Sequence, residues 1–268
     1  RAVVHVLEVS RPEVGRYVGR GEQEAEPGRD DDAHPRRARG DDAQAGAVEA
    51  AHRLRSRQDP IKSRGGNRAP LTEANGGEVF VTSPDILSKL SGKDNPGAVL
   101  GVYPEQWTPL SALDRSTAAI WIVAERLRDP GNLGTILRTG DAVGAGGLIL
   151  IDDCTDPFSV EAVRASMGAL FTQSISKATW PEFIDWLRQG PGQLVGTSLN
   201  TEHDYQAPRY TPPVFLLVGN ESQGLPESYE RDCDLLVKMP MMGKADSLNA
   251  AVATSVMAYE VLNQLRAR

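Results

Sequence analysis

From residue 119 onward, short runs of consecutive apolar residues alternate with longer amphipathic stretches, and this alternation narrows the choice of fold sharply. The apolar runs lie at 119–124 (AIWIVA), 147–151 (GLILI), 193–198 (QLVGTS), 214–219 (VFLLVG) and 235–239 (LLVKM). Helical stretches lie at 132–143, 159–170, 180–188 and 247–265. A strand that is apolar at successive positions has both faces buried, the environment of a parallel sheet covered by helices on either side. The pattern predicts an α/β domain of ordinary size over 118–268.

The remainder of the chain reads differently. Residues 1–70 are rich in Arg, Asp, Glu, Ala and Gly, with runs such as RDDDAHPRRARGDD. Such a segment buries too little apolar surface to offset the entropy of ordering it, so little stable structure is expected there. Within it, 51–70 carries six basic groups against one acidic, a stretch that could meet phosphates but is more simply a solvated tail. Residues 71–106 contain a strand-like EVFVT, a Ser-Pro helix start before DILSKLSG and a strand-like AVLGVY, together a βαβ fragment too small to stand alone. Residues 107–117 read as a linker.

Composition excludes several classes of function. Two cysteines, Cys154 and Cys233, without a CxxC or neighbouring histidines, make neither a disulfide framework nor a zinc site and suit a reducing cytoplasm. His203 is the one histidine beyond residue 117, which argues against a histidine-based metal or triad site in the α/β domain. No run is long enough for a membrane span, and the first residues do not make a signal peptide, so the expected location is the cytoplasm. The net charge of −7 divides into −1 for residues 1–117 and −6 for the rest, so any contact with nucleic acid must rest on a local basic patch.

Three stretches carry the chemistry. In ERLRDPGNLGTILRTGDAVGAGG, an Asp-Pro-Gly turn opens a helix whose Leu133, Ile136, Leu137 and Val143 face the core, leaving Asn132, Thr135, Arg138 and Thr139 outside it. The GAGG at its end follows a helix and precedes a strand, the reverse of a dinucleotide-binding turn, which excludes the Rossmann cofactor reading. In VFLLVGNESQGLPESY, a strand runs into a loop in which Gly219 and Gly224 permit close backbone approach and Glu221 is the one acid. In LLVKMPMMGKADSLNAAVATSVMAYEVLNQL, a strand leads through a Met/Pro/Gly turn into a helix with Ser247 as its expected N-cap and Leu248, Ala251, Val252, Ser255, Val256, Tyr259 and Leu262 as its core stripe.

These three stretches resemble, in order, the motifs of the SpoU (TrmH-like) family of RNA ribose 2′-O-methyltransferases in the SPOUT superfamily. Asn132, Gly134 and Arg138 match the first motif. Gly219, Glu221 and Gly224 match the second, and Met239, Pro240, Met241, Ser247, Leu248 and Asn249 the third. The intervening DPFSVEAVRASMGALF, with Arg164, Ser166 and Gly168, is also similar to the family's. Upstream, VFVTSPDILSKLSG and NPGAVLGVY resemble the end of an L30e-like RNA-binding domain whose beginning is not recognisable in 1–70, as though that part had been replaced or read in another frame.

The resemblance implies a SPOUT-type parallel sheet closed by a C-terminal deep trefoil knot over 214–265, binding S-adenosylmethionine (SAM). The implied cofactor contacts are Gly219, Gly224, Met239, Pro240, Met241 and Leu248, with Thr197 and Ser198 at a neighbouring strand end. Arg138 takes the central catalytic role, and Asn132, Glu221, Ser247 and Asn249 orient it and the ribose. Each also has a plainer reading: a loop-bracing acid for Glu221, a helix cap for Ser247 and Asn249. Arg126, Arg128, Arg164 and Ser166 are the expected RNA contacts, with pairing to Glu161 the alternative for Arg164. Family members are homodimers packed through the knot, and no metal is implied. The expected substrate is rRNA; the alternatives are a tRNA 2′-O-methyltransferase and a non-catalytic RNA-binding or assembly protein.

Overall fold

The computed structural model describes residues 2–5, 80, 83–95, 99–220 and 223–267, and the chain divides into two compact units, Arg1–Pro104 and Glu105–Arg268. In the first unit, strand β1 (Ala2–His5) pairs antiparallel with β2 (Gly101–Pro104). Helix α1 (Pro84–Ser91) is started by Ser83, whose hydroxyl accepts the Ile86 N–H, and stopped by Gly92 in the left-handed region. The expected helix after Ser-Pro is therefore present, while the first strand of the expected βαβ arrangement falls outside the described residues. The strand pair is antiparallel and uses residues at the very beginning of the sequence, where no structure was expected. The EVFVT strand lies almost wholly outside the described residues, where Phe80 alone is placed, in no regular element.

The second unit is built on a six-stranded sheet. Its strands are β3 (Ile120–Glu125), β4 (Gly147–Ile151), β5 (Ser174–Ala178), β6 (Gln193–Thr197), β7 (Val214–Val218) and β8 (Leu235–Val237). They lie in the order β5-β4-β3-β7-β6-β8, and every pairing is parallel. The helices are α2 (Pro130–Val143), α3 (Val160–Ala165), α4 (Trp180–Arg188), α5 (Glu227–Asp232) and α6 (Ala250–Arg266).

Side chains alternate across the pleat, so β3 serves two cores. Trp121 and Val123 join Ile149, Ile151, Leu194, Phe215 and Leu217 in one cluster beneath Phe183 and Leu187 of α4. Ile122 points the other way, toward Gly140 of α2. On that face α2 and α6 pack together, joined by a 2.7 Å hydrogen bond between the Thr139 and Ser255 hydroxyls. Thr139, expected outside the core, is buried there.

Residues 107–117, expected as a linker, fold onto this unit. Thr108 N–H donates to the Ile175 carbonyl at 2.8 Å, Trp107 packs edge-on against Phe158, and Leu113 is buried. The Arg115 guanidinium donates to the Trp186, Leu187 and Pro191 carbonyls and lies over the Trp186 ring, closing the C-terminal end of α4.

Candidate active site

All six strands point the same way, so the loops at their C-terminal ends lie on one edge of the sheet, the usual place for a site in an open α/β fold. The motif residues lie at this edge or on the helices that leave it. The cavity lined by Pro191, Gly192, Gln193, Thr211, Pro212 and Asp234 is at the opposite edge, where β6 and β7 begin.

The first motif begins where Asp129 caps α2, its carboxylate accepting the Asn132 N–H at 2.6 Å, with Pro130 in the first turn. Leu133, Ile136, Leu137 and Val143 are buried as expected. Arg138 stands on the exposed side of the helix, about 9 Å along the axis from Asn132. It forms no hydrogen bond or ion pair with any described residue.

The third motif meets the first directly. The Asn249 side-chain amide donates to Asn132 Oδ1 at 2.8 Å, joining residues 117 apart in sequence. Asn249 is also the N-cap of α6, its Oδ1 accepting the N–H groups of Ala251 and Val252. The expected cap, Ser247, lies three residues before the helix start and is exposed. Asn249 takes the position because from there it satisfies the first turn of α6 and still reaches α2. Among the described residues, no main-chain group from Met239 to Leu248 takes part in a main-chain hydrogen bond. Met239 and Met241 are half-buried, Pro240 is exposed, and Leu248 is 42% exposed.

At the second motif, Gly219 is required by space, since a Cβ there would sit 2.6 Å from the Gly224 carbonyl carbon. Gly224 has φ +66°, the left-handed region natural to glycine. Its N–H donates to the Asn220 carbonyl at 2.9 Å, closing the loop. Glu221 lies outside the described residues. The loop is held to the end of β3, where Asn220 donates its main-chain N–H to Glu125 and its side-chain amide to the Arg126 carbonyl.

Beside it, the Ser198 N–H donates to the Val237 carbonyl, and the Ser198 hydroxyl donates to buried Glu230. Both oxygens of Glu230 also accept from the Asn200 amide. The Ser198 hydroxyl is thus committed to bracing its own loop, leaving main-chain groups to face a ligand. Thr197 makes a long 3.4 Å contact with the Leu217 carbonyl.

The expected RNA contacts separate into three kinds. Arg126 is paired with Glu125, and exposed Arg128 with Asp153 at 2.7 Å, which raises the Arg128 pKa. The Arg164 Nε and Nη2 atoms are buried with no partner, so the alternative pairing with Glu161 is not made. Ser166 is fully buried, its hydroxyl donating to the Val163 carbonyl at 2.7 Å. It packs at the end of α3, where a Cβ on Gly134 would lie 2.8 Å from its main-chain nitrogen, and its hydroxyl is committed to that main-chain bond.

Glu125 and Glu230 were not singled out from the sequence. A charged residue closing an otherwise apolar strand, as in AIWIVAE, was the available signal for the first. The six residues of α5 gave no comparable signal for the second. Among the described residues no group of three or more metal-ligating side chains is close enough to hold an ion, and no helix is long and apolar enough to cross a membrane.

Comparison with known proteins agrees with this geometry. The model of the SpoU rRNA Methylase family matches residues 119–259. The chain is 34% identical to a 23S rRNA (uridine(2479)-2′-O)-methyltransferase of Streptomyces viridochromogenes, over 70% of this chain and 68% of that protein. It is 29% identical to the 23S rRNA (guanosine(2553)-2′-O)-methyltransferase RlmP of Bacillus subtilis, over 72% and 76%. Among solved structures, an AdoMet-bound rRNA methyltransferase from Sinorhizobium meliloti superposes with a TM-score of 0.71 at 40% identity, over 74% of this chain and 78% of that one. The SpoU methyltransferase AviRb of S. viridochromogenes in complex with AdoMet gives 0.69 at 30% identity, over 82% and 87%.

Proposed function

Because the chain belongs to the SpoU rRNA Methylase family, and so is a SAM-dependent RNA ribose 2′-O-methyltransferase, we propose that ribosomal RNA is its substrate and that the joined motifs form its active site. The hydrogen bond between Asn249 and Asn132 carries the reading, since it ties the helix bearing Arg138 to the Met239–Leu248 loop. That loop, with its main chain free of internal hydrogen bonds, fits a nucleoside: amide N–H and carbonyl groups can meet the base edge while Met239, Met241 and Leu248 supply apolar contact. Gly219, Gly224, Thr197 and Ser198 border it from the adjoining strand ends. Bound SAM supplies an electrophilic methyl group on a sulfonium.

The chain must align the ribose hydroxyl with that methyl and assist loss of its proton. Arg138 is exposed at the edge of this arrangement, able to hold an RNA phosphate and the developing oxyanion. Asn132 and Asn249 fix the helix that carries it, and Glu221 and Ser247 complete the set by resemblance. Arg164, which is not committed to an ion pair among the described residues, is the stronger RNA contact of the remaining arginines; Arg128 is the weaker, already paired at the surface.

The trefoil knot is proposed from the chain path. After β8 at the sheet edge the chain returns to lay α6 over β7 and β3 at the centre. The connection between β6 and β7 touches the returning segment at its start, where Lys238 bonds His203 and Tyr205, and near its end, where Gln264 bonds Pro208 and Tyr210. A homodimer is proposed from the apolar residues α6 and its approach leave uncovered, Leu248, Val252 and Tyr259. A monomer in sedimentation that still methylates RNA would exclude it. The domain plan, with 71–106 as an L30e-like remnant, and a cytoplasmic location complete the proposal.

Transfer of tritium from methyl-labelled SAM to total rRNA and to tRNA tests the whole reading. Label in rRNA is expected. Label only in tRNA would move the substrate, and none in either would favour a non-catalytic RNA-binding role. Arg138→Ala is expected to lower transfer by about 10²-fold or more while sparing SAM binding; retained turnover would refute its assignment.

A further inference from the structure

Glu125 is the last residue of β3, and its carboxylate is completely buried. A buried charge persists only where it is paired and hydrogen-bonded. Here Oε1 meets the Arg126 guanidinium, and Oε2 accepts the Asn220 N–H at 3.4 Å. Arg126 has φ +43°, and its carbonyl accepts the Asn220 side-chain amide at 2.9 Å. The last residue of β3 and the one that follows it therefore hold Asn220 by its main chain and its side chain together. Asn220 in turn organises the loop that follows β7: its carbonyl accepts the Gly224 N–H, and its Oδ1 accepts the Gln223 N–H at 3.2 Å.

We infer that Glu125 is a positioning residue for SAM binding, acting through Asn220 on the Gly219–Gly224 loop, and that Arg126 serves Glu125 rather than RNA. The inference rests on the reading of Gly219–Gly224 as part of the cofactor site. Glutamine at 125 keeps an acceptor for the Asn220 N–H, whereas alanine removes it. Loss of a hydrogen bond to a charged acceptor at the loop corresponds to about tenfold or more in affinity.

The test measures SAM affinity by calorimetry, and KM for SAM and for rRNA separately, in the full chain. Glu125→Ala and Arg126→Ala are expected to raise Kd and KM for SAM about tenfold with KM for rRNA unchanged, and Glu125→Gln to recover most of the loss. Asn220→Ala combined with Glu125→Ala should add little to either change alone. Wild-type SAM affinity in a folded Glu125→Ala overturns the inference. So does an equal loss toward SAM and rRNA, with lowered Tm and no recovery by glutamine, which would mark Glu125 as a general structural support. Gly219→Ala separates the premise from the inference, because its methyl meets the Gly224 and Leu225 main chain first and the Glu125 carboxylate is retained. If Gly219→Ala binds SAM normally, the cofactor-loop reading fails; if it loses SAM and Glu125→Ala does not, the inference alone fails.

Discussion

Gly134→Ala separates helix propensity from helix packing within the first motif. Alanine in a helix interior is favoured over glycine by about 1 kcal/mol, so on propensity alone this change stabilises. The structure opposes it: the added Cβ would lie 2.3 Å from the Ala162 carbonyl oxygen, 2.5 Å from the Ala165 Cβ and 2.8 Å from the Ser166 nitrogen. Two of these are main-chain atoms, which no rotamer change can move. To restore contact distances of about 3.5 Å, α2 and α3 must part by about 1 Å, loosening the packing of Leu133, Leu137, Ala162 and Val163. Overpacking of this kind costs about 1–3 kcal/mol, and a rigid neighbour puts it at the upper end, for a net loss of about 2 kcal/mol. For a unit of this size that lowers Tm by about 4–8 °C. All four tryptophans lie in the second unit, so their fluorescence during heating or urea titration reports its unfolding alone. Gly140→Ala in the same helix is the comparison, because its Cβ meets only the far ends of the Gln173 and Ile122 side chains. It should be near neutral. A Gly134→Ala protein as stable as wild type would refute the claim that this glycine exists for the approach of α3.

Two further outcomes follow from groups outside the motifs. Arg115→Ala should cost about 1–2 kcal/mol, because three carbonyls at the end of α4 lose their donor and Trp186 its stacked cation, and Arg115→Lys should restore only part, lacking the planar fork; equal stability of the three proteins in urea would refute this. Burial pushes the Cys154 thiol up to about 11 and the Cys233 thiol up to about 12, so neither should react with a disulfide reagent at pH 8 in the native protein, and both should in denaturant. Since the unfolded thiols lose their protons first, this contribution to stability is complete below about pH 8.5 and is lost as pH rises toward 11. A native stability flat across that interval, or rapid labelling at pH 8, would contradict the burial argument.

Legibility of the fold followed local punctuation. Helix 180–188 was read with its observed ends because Thr179 and Glu182 form a capping box around Trp180-Pro181, and Gly190-Pro191 follows. Strand 147–151 is likewise bounded, by glycines before it and Asp152-Asp153 after it. Strand β5 is not legible because SISKA has one large apolar residue, as an edge strand with a single neighbour permits. Helix α5 was missed because six residues, ESYERD, carry no apolar stripe. At the site, the three motifs were legible as residue types in order, whereas their junction was not. Asp246, Ser247 and Asn249 are all good caps, and the choice among them depends on Asn132, 117 residues away. Glu125 reads in sequence as a charge at a solvent-facing strand end; only the fold brings Asn220 over it.

Helix α6 shows what periodicity detects. Its expected core stripe was Leu248, Ala251, Val252, Ser255, Val256, Tyr259 and Leu262; Ala251 is buried as expected, but the residues buried with it are Ala250, Thr254, Met257, Ala258 and Val261. The two stripes are offset by about one residue, or 100° around the axis. Small residues face inward because α6 lies close upon α2, near enough for the Thr139 and Ser255 hydroxyls to meet, and a Leu or Tyr at those positions would hold the helices apart. Val252 and Tyr259 are left 48% and 52% exposed, on the helix whose N-cap grips the first motif. A helix apolar on nearly all sides belongs in an interior, so its second face calls for another surface. In the proposed homodimer that surface is a second copy, which would place the subunit contact on the same helix that holds Asn132 and Asn249 in place. Assembly would then stabilise the N-terminal turn of α6 and with it the junction between the motifs.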